Sequence, residues 1–118
     1  MGKSVLRDKS YTFAVAIVKL CQQLQNKHKE YVLSKQLLRS GTAVGALLRE
    51  AEFGQSKADF IHKMHISVKE ANESDFWLDL LKDTGYIDEV TYTRLSKSCK
   101  ELISMLVSSL NTLKARKP

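Results

Sequence analysis

The sequence has few residues that would interrupt a helix, and none of the usual signs of a linker or a membrane span. Its single proline, Pro118, is the last residue, and its five glycines form no Gly/Ser/Pro-rich run, so no low-complexity segment is predicted. No apolar run reaches the roughly 18 residues of a membrane span, and the first residues do not resemble a signal peptide. We therefore expect one cytoplasmic domain over residues 1–118, with flexible ends at about 1–7 and 114–118, and no membrane partner.

Cysteine is also scarce. Cys21 and Cys99 are the only cysteines, which is too few for a disulfide framework, and both fall on apolar helical stripes. We expect two reduced thiols that fill core space rather than a redox or metal site.

Apolar residues recur at helical spacing along the whole chain, and no strand pattern competes with them. The first helix is predicted over about residues 8–26, and Ser34 is predicted to N-cap the second. The four stripes are Phe13, Ile17, Cys21 and Leu24; Leu37, Gly41, Val44, Leu48 and Ala51; Phe60, Met64, Val68 (or Ser67), Ala71, Leu78 and Leu81; and Leu95, Cys99, Leu102, Leu106, Leu110 and Leu113.

Polar residues mark where the later helices begin and end. Ser56 and Asp59 have the spacing of a capping box, Gly85 has the position of a C-terminal stop, and Asp88 and Glu89 suit the positive start of a fourth helix. Four long helices joined by short loops predict an all-α, antiparallel up-down-up-down four-helix bundle.

Two glycines inside the second helix need an explanation, because each costs an exposed helix roughly 1 kcal/mol relative to alanine. Gly41 and Gly45 lie one turn apart on one face. We predict that they allow another helix backbone to come close. A phosphate-binding loop is the alternative, but the segment lacks the GK[ST] ending and follows no strand.

The segment EYVLSKQLLRSGTAVGALLREAEFGQSKADFIHKMHISVKEANESDFWLDLLKDTGYI closely resembles a known family. It is similar to the four-helix bundle proteins of the 23S rRNA-intervening sequence family, first noticed as reading frames within intervening sequences of bacterial 23S ribosomal RNA genes. The resemblance covers about residues 9–113, with the densest motifs in LSKQLLRSGT, REA, SKADF and KEANESDFWLDLL. It implies a homopentameric ring, and a distant similarity to the basic accessory proteins of diversity-generating retroelements. The sequence departs from the family pattern at Leu47, Leu48 and Phe53.

Charge is distributed unevenly along the chain. Residues 1–49 hold nine Lys and Arg against two acids, residues 50–90 hold four against ten, and residues 91–118 hold six against one. One interpretation is complementarity between neighbouring helices or subunits, which would guide a head-to-tail ring into register. The other is attraction of nucleic acid by the basic segments. The two are compatible.

Antiparallel helices would bring both chain termini to one strongly positive pole, whereas the opposite pole, with Lys27, Lys29 and Lys35, would be nearly neutral. The nucleic-acid-binding residues predicted at the positive pole are Lys3, Arg7, Lys9, Lys114, Arg116 and Lys117. Phe13 and Phe60 fall on core stripes, so binding is predicted to be directed at phosphate with little dependence on base sequence.

No catalytic or metal-binding constellation is predicted, and no cofactor. Asp59 and His62 lie one turn apart, as in one half of a di-iron bundle site, but no second motif of this kind exists. We expect the remaining charged residues at family motif positions to form interhelical pairs that fix the register of the bundle. They are Arg39, Arg49, Glu50, Glu70 and Glu73.

Together these features predict a non-enzymatic, homo-oligomeric scaffold, pentameric by resemblance, that associates with RNA, DNA or a nucleic-acid enzyme and takes no small-molecule substrate. The alternative is a protein-interaction module that uses the acidic and apolar surface of the third helix and binds no nucleic acid.

Overall fold

The computed structural model describes the backbone of residues 2–116 and the side chains of residues 5–116, and in this part of the chain it contains four α-helices and no strand. The helices are α1 (Gly2–His28), α2 (Val32–Glu52), α3 (Lys57–Asp83) and α4 (Glu89–Ala115). Each helix packs against the next and α4 packs back against α1, which is the smallest of the four interfaces. The resulting rod measures 51 × 22 × 20 Å. The prediction of an all-α four-helix bundle is confirmed.

The core forms along the predicted apolar stripes. Ile17, Leu37, Val44, Leu78 and Leu106 are fully buried representatives of the four helices. Because a buried leucine or isoleucine contributes about 1.5–3 kcal/mol relative to an exposed one, these stripes account for the cohesion of the bundle.

Both cysteines are buried free thiols. Cys21 Sγ lies 3.3 Å from the Ser34 carbonyl oxygen, and Cys99 Sγ lies 3.1 Å from that of Ala71. Burial raises the pKa of each thiol to about 12, with smaller contributions from the charges of Glu30 and Asp75 respectively. The prediction that these residues fill the core is confirmed.

Three of the predicted helix boundaries are confirmed by their hydrogen bonds. Ser56 Oγ accepts the Asp59 amide at 3.1 Å, and Asp88 Oδ1 accepts the Thr91 amide at 2.7 Å. Gly85 has a φ of +83°, which glycine adopts without steric cost, and it closes α3. The amides of Gly85 and Tyr86 bond back to the carbonyls of Lys82 and Leu81, the pattern of a Schellman motif.

The predicted start of α2 is wrong. α2 begins at Val32 rather than after Ser34, and the group that caps it is the buried carboxylate of Glu30. This carboxylate accepts the amides of Val32, Leu33 and Ser34 at 3.1, 2.9 and 2.7 Å. Ser34 itself lies inside the helix, where its hydroxyl donates to the Glu30 carbonyl at 2.8 Å. A glutamate side chain is long enough to reach all three amides, so no N-cap serine is needed.

The predicted start of α1 is also wrong, since the helix begins at Gly2 and not near Asp8. At its other end α1 extends to His28 and is followed by Lys29, which has a left-handed φ of 53°. No glycine is available in NKHKEY to take this conformation.

The antiparallel arrangement defines two poles. The terminal pole holds the start of α1, the end of α2, the start of α3 and the end of α4; the loop pole holds the α1–α2 and α3–α4 connections. Polar contacts between helices occur at the terminal pole. Lys57 Nζ donates to the Arg116 carbonyl at 3.1 Å, and Arg7 Nη1 lies 3.8 Å from Glu52 Oε2.

Candidate nucleic-acid interface

Two of the predicted basic residues at the terminal pole have acidic partners. Arg7 is paired with Glu52, and Lys9 Nζ donates to Glu101 Oε1 at 3.1 Å. About half of each basic side chain remains exposed, 51% for Arg7 and 44% for Lys9. Their positive charge is therefore partly offset before any ligand arrives.

The end of α4 supplies cations that are not offset in this way. Lys114 lies in the last turn and Arg116 follows as the C-cap residue. Both side chains are exposed, and neither lies within 4.0 Å of an acidic group among the side chains that the structure describes. Lys3 lies in α1 without a described side chain, and Lys117 lies outside the described residues.

Further exposed cations lie along α4. The prediction from the sequence did not include them, because it considered only the charges at the ends of the helices. We define the α4 stripe as six exposed residues spaced three and four apart: Lys97, Lys100, Ser104, Val107, Asn111 and Lys114. At 1.5 Å per residue the stripe is about 26 Å long. Its three lysines have no acidic partner within the described part of the chain. The alternating spacing of three and four was the signal that could have identified it.

The acids of α3 are largely engaged inside the same chain. Glu73 Oε1 accepts Arg39 Nη2 at 2.8 Å, and Asp75 Oδ1 accepts the Ser96 hydroxyl at 3.1 Å. Asp79 Oδ1 accepts the hydroxyl of Tyr92. Of these three acids, Glu73 has a cationic partner on another helix, whereas Ser96 and Tyr92 donate neutral hydroxyls, which do not offset the negative charge of α3.

The charged residues that we expect to form interhelical pairs contact different helices. Arg39 joins α2 to α3 through Glu73 and, at 4.0 Å, through Glu70. Glu50 also joins these helices, since its Oε1 accepts Lys63 Nζ at 2.9 Å. Arg49 points the other way, with its guanidinium 5.7 Å from the centre of the Tyr11 ring on α1.

Glu70 has an unusual environment for a carboxylate. Its Oε1 is buried and accepts no hydrogen bond, so the distant Arg39 guanidinium is the charge that compensates it. A buried acceptor left without a hydrogen bond costs about 1–3 kcal/mol, which makes this position sensitive to any change at Arg39.

Gly41 and Gly45 lie against α1. A Cβ added at Gly41 would be 2.9 Å from Cγ2 of Ile17, and one added at Gly45 would be 3.2 Å from Oγ of Ser10. Both glycines therefore face a neighbouring helix within the same bundle.

Residues 3–108 match the family model of the 23S rRNA-intervening sequence protein. The chain belongs to this family. A solved structure of a protein with unknown function from the S23 ribosomal protein family of Bacteroides thetaiotaomicron is 49% identical, with a TM-score of 0.93, covering 94% of this chain and 99% of that chain. No curated protein matches the chain. The family predicted from the LSKQLLRSGT and KEANESDFWLDLL motifs is confirmed.

The three positions that we expect to depart from the family pattern, Leu47, Leu48 and Phe53, have different environments. Leu48 is buried and Leu47 is partly buried, but Phe53, which follows α2, is 86% exposed. Tyr11 is also exposed, at 59%. Two rings thus lie on the surface near the terminal pole.

Among the described residues, the histidines of this family member form no metal-binding cluster with other side chains. His62 and His65 are both exposed on α3. Among the described residues, no group of three or more His, Cys, Asp or Glu side chains could hold a metal ion. Within the same residues, no helix combines the length and apolar character needed to cross a membrane.

Proposed function

We propose that the protein is a non-enzymatic, homo-oligomeric scaffold that associates with nucleic acid, or with a nucleic-acid enzyme, through a basic surface made of the α4 stripe and the terminal pole. The observation that supports this proposal is the imbalance in pairing. Arg39 pairs with acids of α3 and Lys9 pairs with Glu101, whereas Lys97, Lys100, Lys114 and Arg116 have no acidic partner among the described side chains.

A surface of this kind suits phosphate rather than base edges. Lysine is a compact point charge, and neutralising phosphates releases their condensed counterions without reading sequence. The ligand class we propose is therefore the RNA or DNA backbone, bound with strong salt dependence and little sequence preference.

Assembly is proposed by family resemblance, as a ring of five copies in the cytoplasm. A ring would present the α4 stripe and the terminal pole once per subunit and so multiply their attraction for one polyanion. Asp59, Asp75 and Asp79 of α3 have no ion pair among the described residues, so an acidic α3 against a basic neighbouring surface is the contact we propose for closing such a ring.

Two charge-matched triple variants test the basic surface. We expect Lys97→Gln, Lys100→Gln and Lys114→Gln together to weaken binding similarly for unrelated sequences, and to reduce the slope of log affinity against log salt by about one per lost phosphate contact. Fluorescence anisotropy with labelled oligonucleotides at several salt concentrations measures both quantities. A second variant replaces Lys114, Arg116 and Lys117 in the same way.

The control triple changes Lys27, Lys29 and Lys35 at the loop pole. These cations also lack acidic partners within 4.0 Å among the described residues, but Asp83, Asp88 and Glu89 share their pole. We expect a smaller loss from this triple. An equal loss would mean that net charge alone matters, and a wild-type protein that binds neither RNA nor DNA at low salt would contradict the proposal.

One observation favours a protein partner as the second candidate function. Phe76 on α3 is 57% exposed and packs edge-on against Trp77, with ring centres 5.0 Å apart. Exposed aromatic side chains are frequent anchors in protein interfaces. A wild-type protein that binds no nucleic acid, and whose protein partner is lost on Phe76→Ala, would favour this function.

A further inference from the structure

Near the terminal pole, one arginine lies between two exposed rings. Arg49 lines one shallow depression with Tyr11 and an adjoining depression with Phe53. Its guanidinium lies over the Tyr11 ring at 5.7 Å, whereas the Phe53 ring, one turn later in the chain, is 86% exposed. We call Tyr11, Arg49 and Phe53 the ring strip.

The acids that adjoin Arg49 in the sequence or border its two depressions form no ion pair with it. Glu50 is held by Lys63 at 2.9 Å, and Glu52 by Arg7 at 3.8 Å. Asp8 borders the Tyr11 depression and Asp59 the Phe53 depression, and neither forms an ion pair among the described residues. Arg49 itself has no acidic partner within 4.0 Å among those residues.

An exposed aromatic ring beside a guanidinium can contact both the base and the phosphate of a nucleotide. A flat, solvent-exposed ring offers a stacking face, and every nucleobase has a matching face when it is not already stacked in a duplex. A neighbouring guanidinium provides hydrogen-bond donors for the phosphate of the same nucleotide. A solvated phenylalanine ring also loses unfavourable contact with water when a base covers it.

We infer that the ring strip binds an unpaired nucleotide, with the base stacked on Phe53 and the phosphate on Arg49. This inference rests on the proposed function and narrows it. The basic surface attracts any nucleic-acid backbone, and the ring strip gives single-stranded RNA or DNA an advantage over duplex. The advantage does not depend on base identity, because no base-edge donors or acceptors are required.

The test compares Phe53→Ala with the wild-type protein on two probes of equal phosphate number: an unstructured 20-nucleotide strand and a closed hairpin duplex. We expect wild type to prefer the single strand, and Phe53→Ala to weaken single-strand binding about tenfold, as loss of one stacked base does. Duplex binding should remain within about twofold. Phe53→Trp should preserve the preference, because it retains a stacking face.

A matched control uses the other exposed phenylalanine, and an optical readout reports stacking itself. Phe76→Ala removes a ring that is 57% exposed on α3, outside the ring strip, and should change neither affinity. A strand carrying 2-aminopurine should lose fluorescence on binding wild type and lose less on binding Phe53→Ala, because stacking on an aromatic ring quenches this base.

The outcomes separate this inference from the proposed function. Equal wild-type binding of strand and duplex, or an unchanged preference in Phe53→Ala, overturns the inference and leaves the basic surface standing. Absence of all binding at low salt contradicts both. If Phe53→Ala instead reduces the mass of the assembly in sedimentation, Phe53 is a contact between copies of the chain and the inference is wrong.

Discussion

At the scale of single residues, the distance between α1 and α2 depends on the missing side chain of Gly41. Cγ2 and Cγ1 of Ile17 occupy the space that a Cβ at Gly41 would need, at 2.9 and 3.0 Å. Both atoms are attached directly to the Ile17 Cβ, so they cannot move aside as the end of a long side chain would. The two helices must separate or Ile17 must change rotamer.

We expect Gly41→Ala to destabilise the fold by about 1–3 kcal/mol, although alanine is the better helix former. Urea unfolding followed by circular dichroism measures the change. In an Ile17→Ala background the remaining near atom is the Cβ of residue 17, at 3.3 Å, so Gly41→Ala should there cost clearly less. A cost that is the same in both backgrounds would show that Ile17 is not the obstacle.

Gly45→Ala is the internal comparison. Its nearest contact would be to Ser10 Oγ at 3.2 Å, a single atom that can move by rotation of the Ser10 side chain, although rotation gives up its hydrogen bond to the Arg7 carbonyl. We expect a smaller loss than for Gly41→Ala, or a small gain, in the same measurement.

At the scale of the helices, the start of α2 depends on an ionised side chain. Burial disfavours the charge of Glu30, but hydrogen bonds from the amides of Leu33, Ser34 and Val32 outweigh it and hold the pKa below its usual range. A carboxyl group with a lowered folded-state pKa stabilises the fold above its unfolded-state pKa. That contribution disappears as the pH falls through the folded-state pKa.

We therefore expect Glu30→Gln to cost about 1 kcal/mol at pH 7, the usual value of an N-cap, and to cost progressively less toward pH 3. Thermal unfolding of both proteins across this range measures the difference. Glu89→Gln is the control, because Glu89 is exposed at the start of α4 and has no ion pair among the described residues. If the stability of both variants depends on pH in the same way, the three amide contacts of Glu30 do not explain that dependence.

A second prediction at this scale concerns the link between α2 and α3. Arg39 is 60% exposed, so its ion pair with Glu73 should contribute at most about 1 kcal/mol. Arg39→Ala removes this ion pair and also leaves the buried Glu70 oxygen without a compensating positive charge. Glu70→Gln in the Arg39→Ala background should therefore recover part of the lost stability. Urea unfolding of the two single variants and the double variant measures the coupling. Strict additivity would mean that Arg39 does not compensate Glu70.

What the sequence could predict about these elements depends on how local the interaction is. Ser56, Asp88 and Gly85 act within four residues of themselves, and their roles were readable from spacing alone. Glu30 could not be identified in this way, because glutamate is not a usual N-cap residue and the turn before it depends on the left-handed conformation of Lys29. Likewise, the partners of Glu73 and Asp75 on α3 lie more than twenty positions away in the sequence. Their partners become visible only once the helices are packed.

At the scale of the whole molecule, the four helices leave exposed apolar groups that one bundle does not cover. Val32 at the loop pole is 71% exposed and Val90 at the start of α4 is 77% exposed, in addition to Phe53 and Phe76. Scattered apolar residues are normal on a surface, so they indicate no partner by themselves. They are available, however, to contacts between copies.

We expect the chain to sediment as an assembly several times its mass of 13.4 kDa, with five copies as the family resemblance implies. Sedimentation velocity at micromolar concentration measures this directly. Phe53→Ala should leave the mass unchanged, because we assign Phe53 to the ring strip. A stable monomer at this concentration would contradict the ring.

The two buried thiols can be used to measure local opening of the native bundle. Cys21 on α1 is covered by α2 at Ser34, and Cys99 on α4 is covered by α3 at Ala71, so each thiol belongs to one helical hairpin. With pKa values of about 12, neither forms an appreciable amount of the thiolate that alkylating reagents attack. Modification by iodoacetamide can therefore proceed only when the hairpin that contains the thiol separates. Peptide mass spectrometry after timed alkylation would compare the lifetimes of the two halves of the native protein without any engineered label.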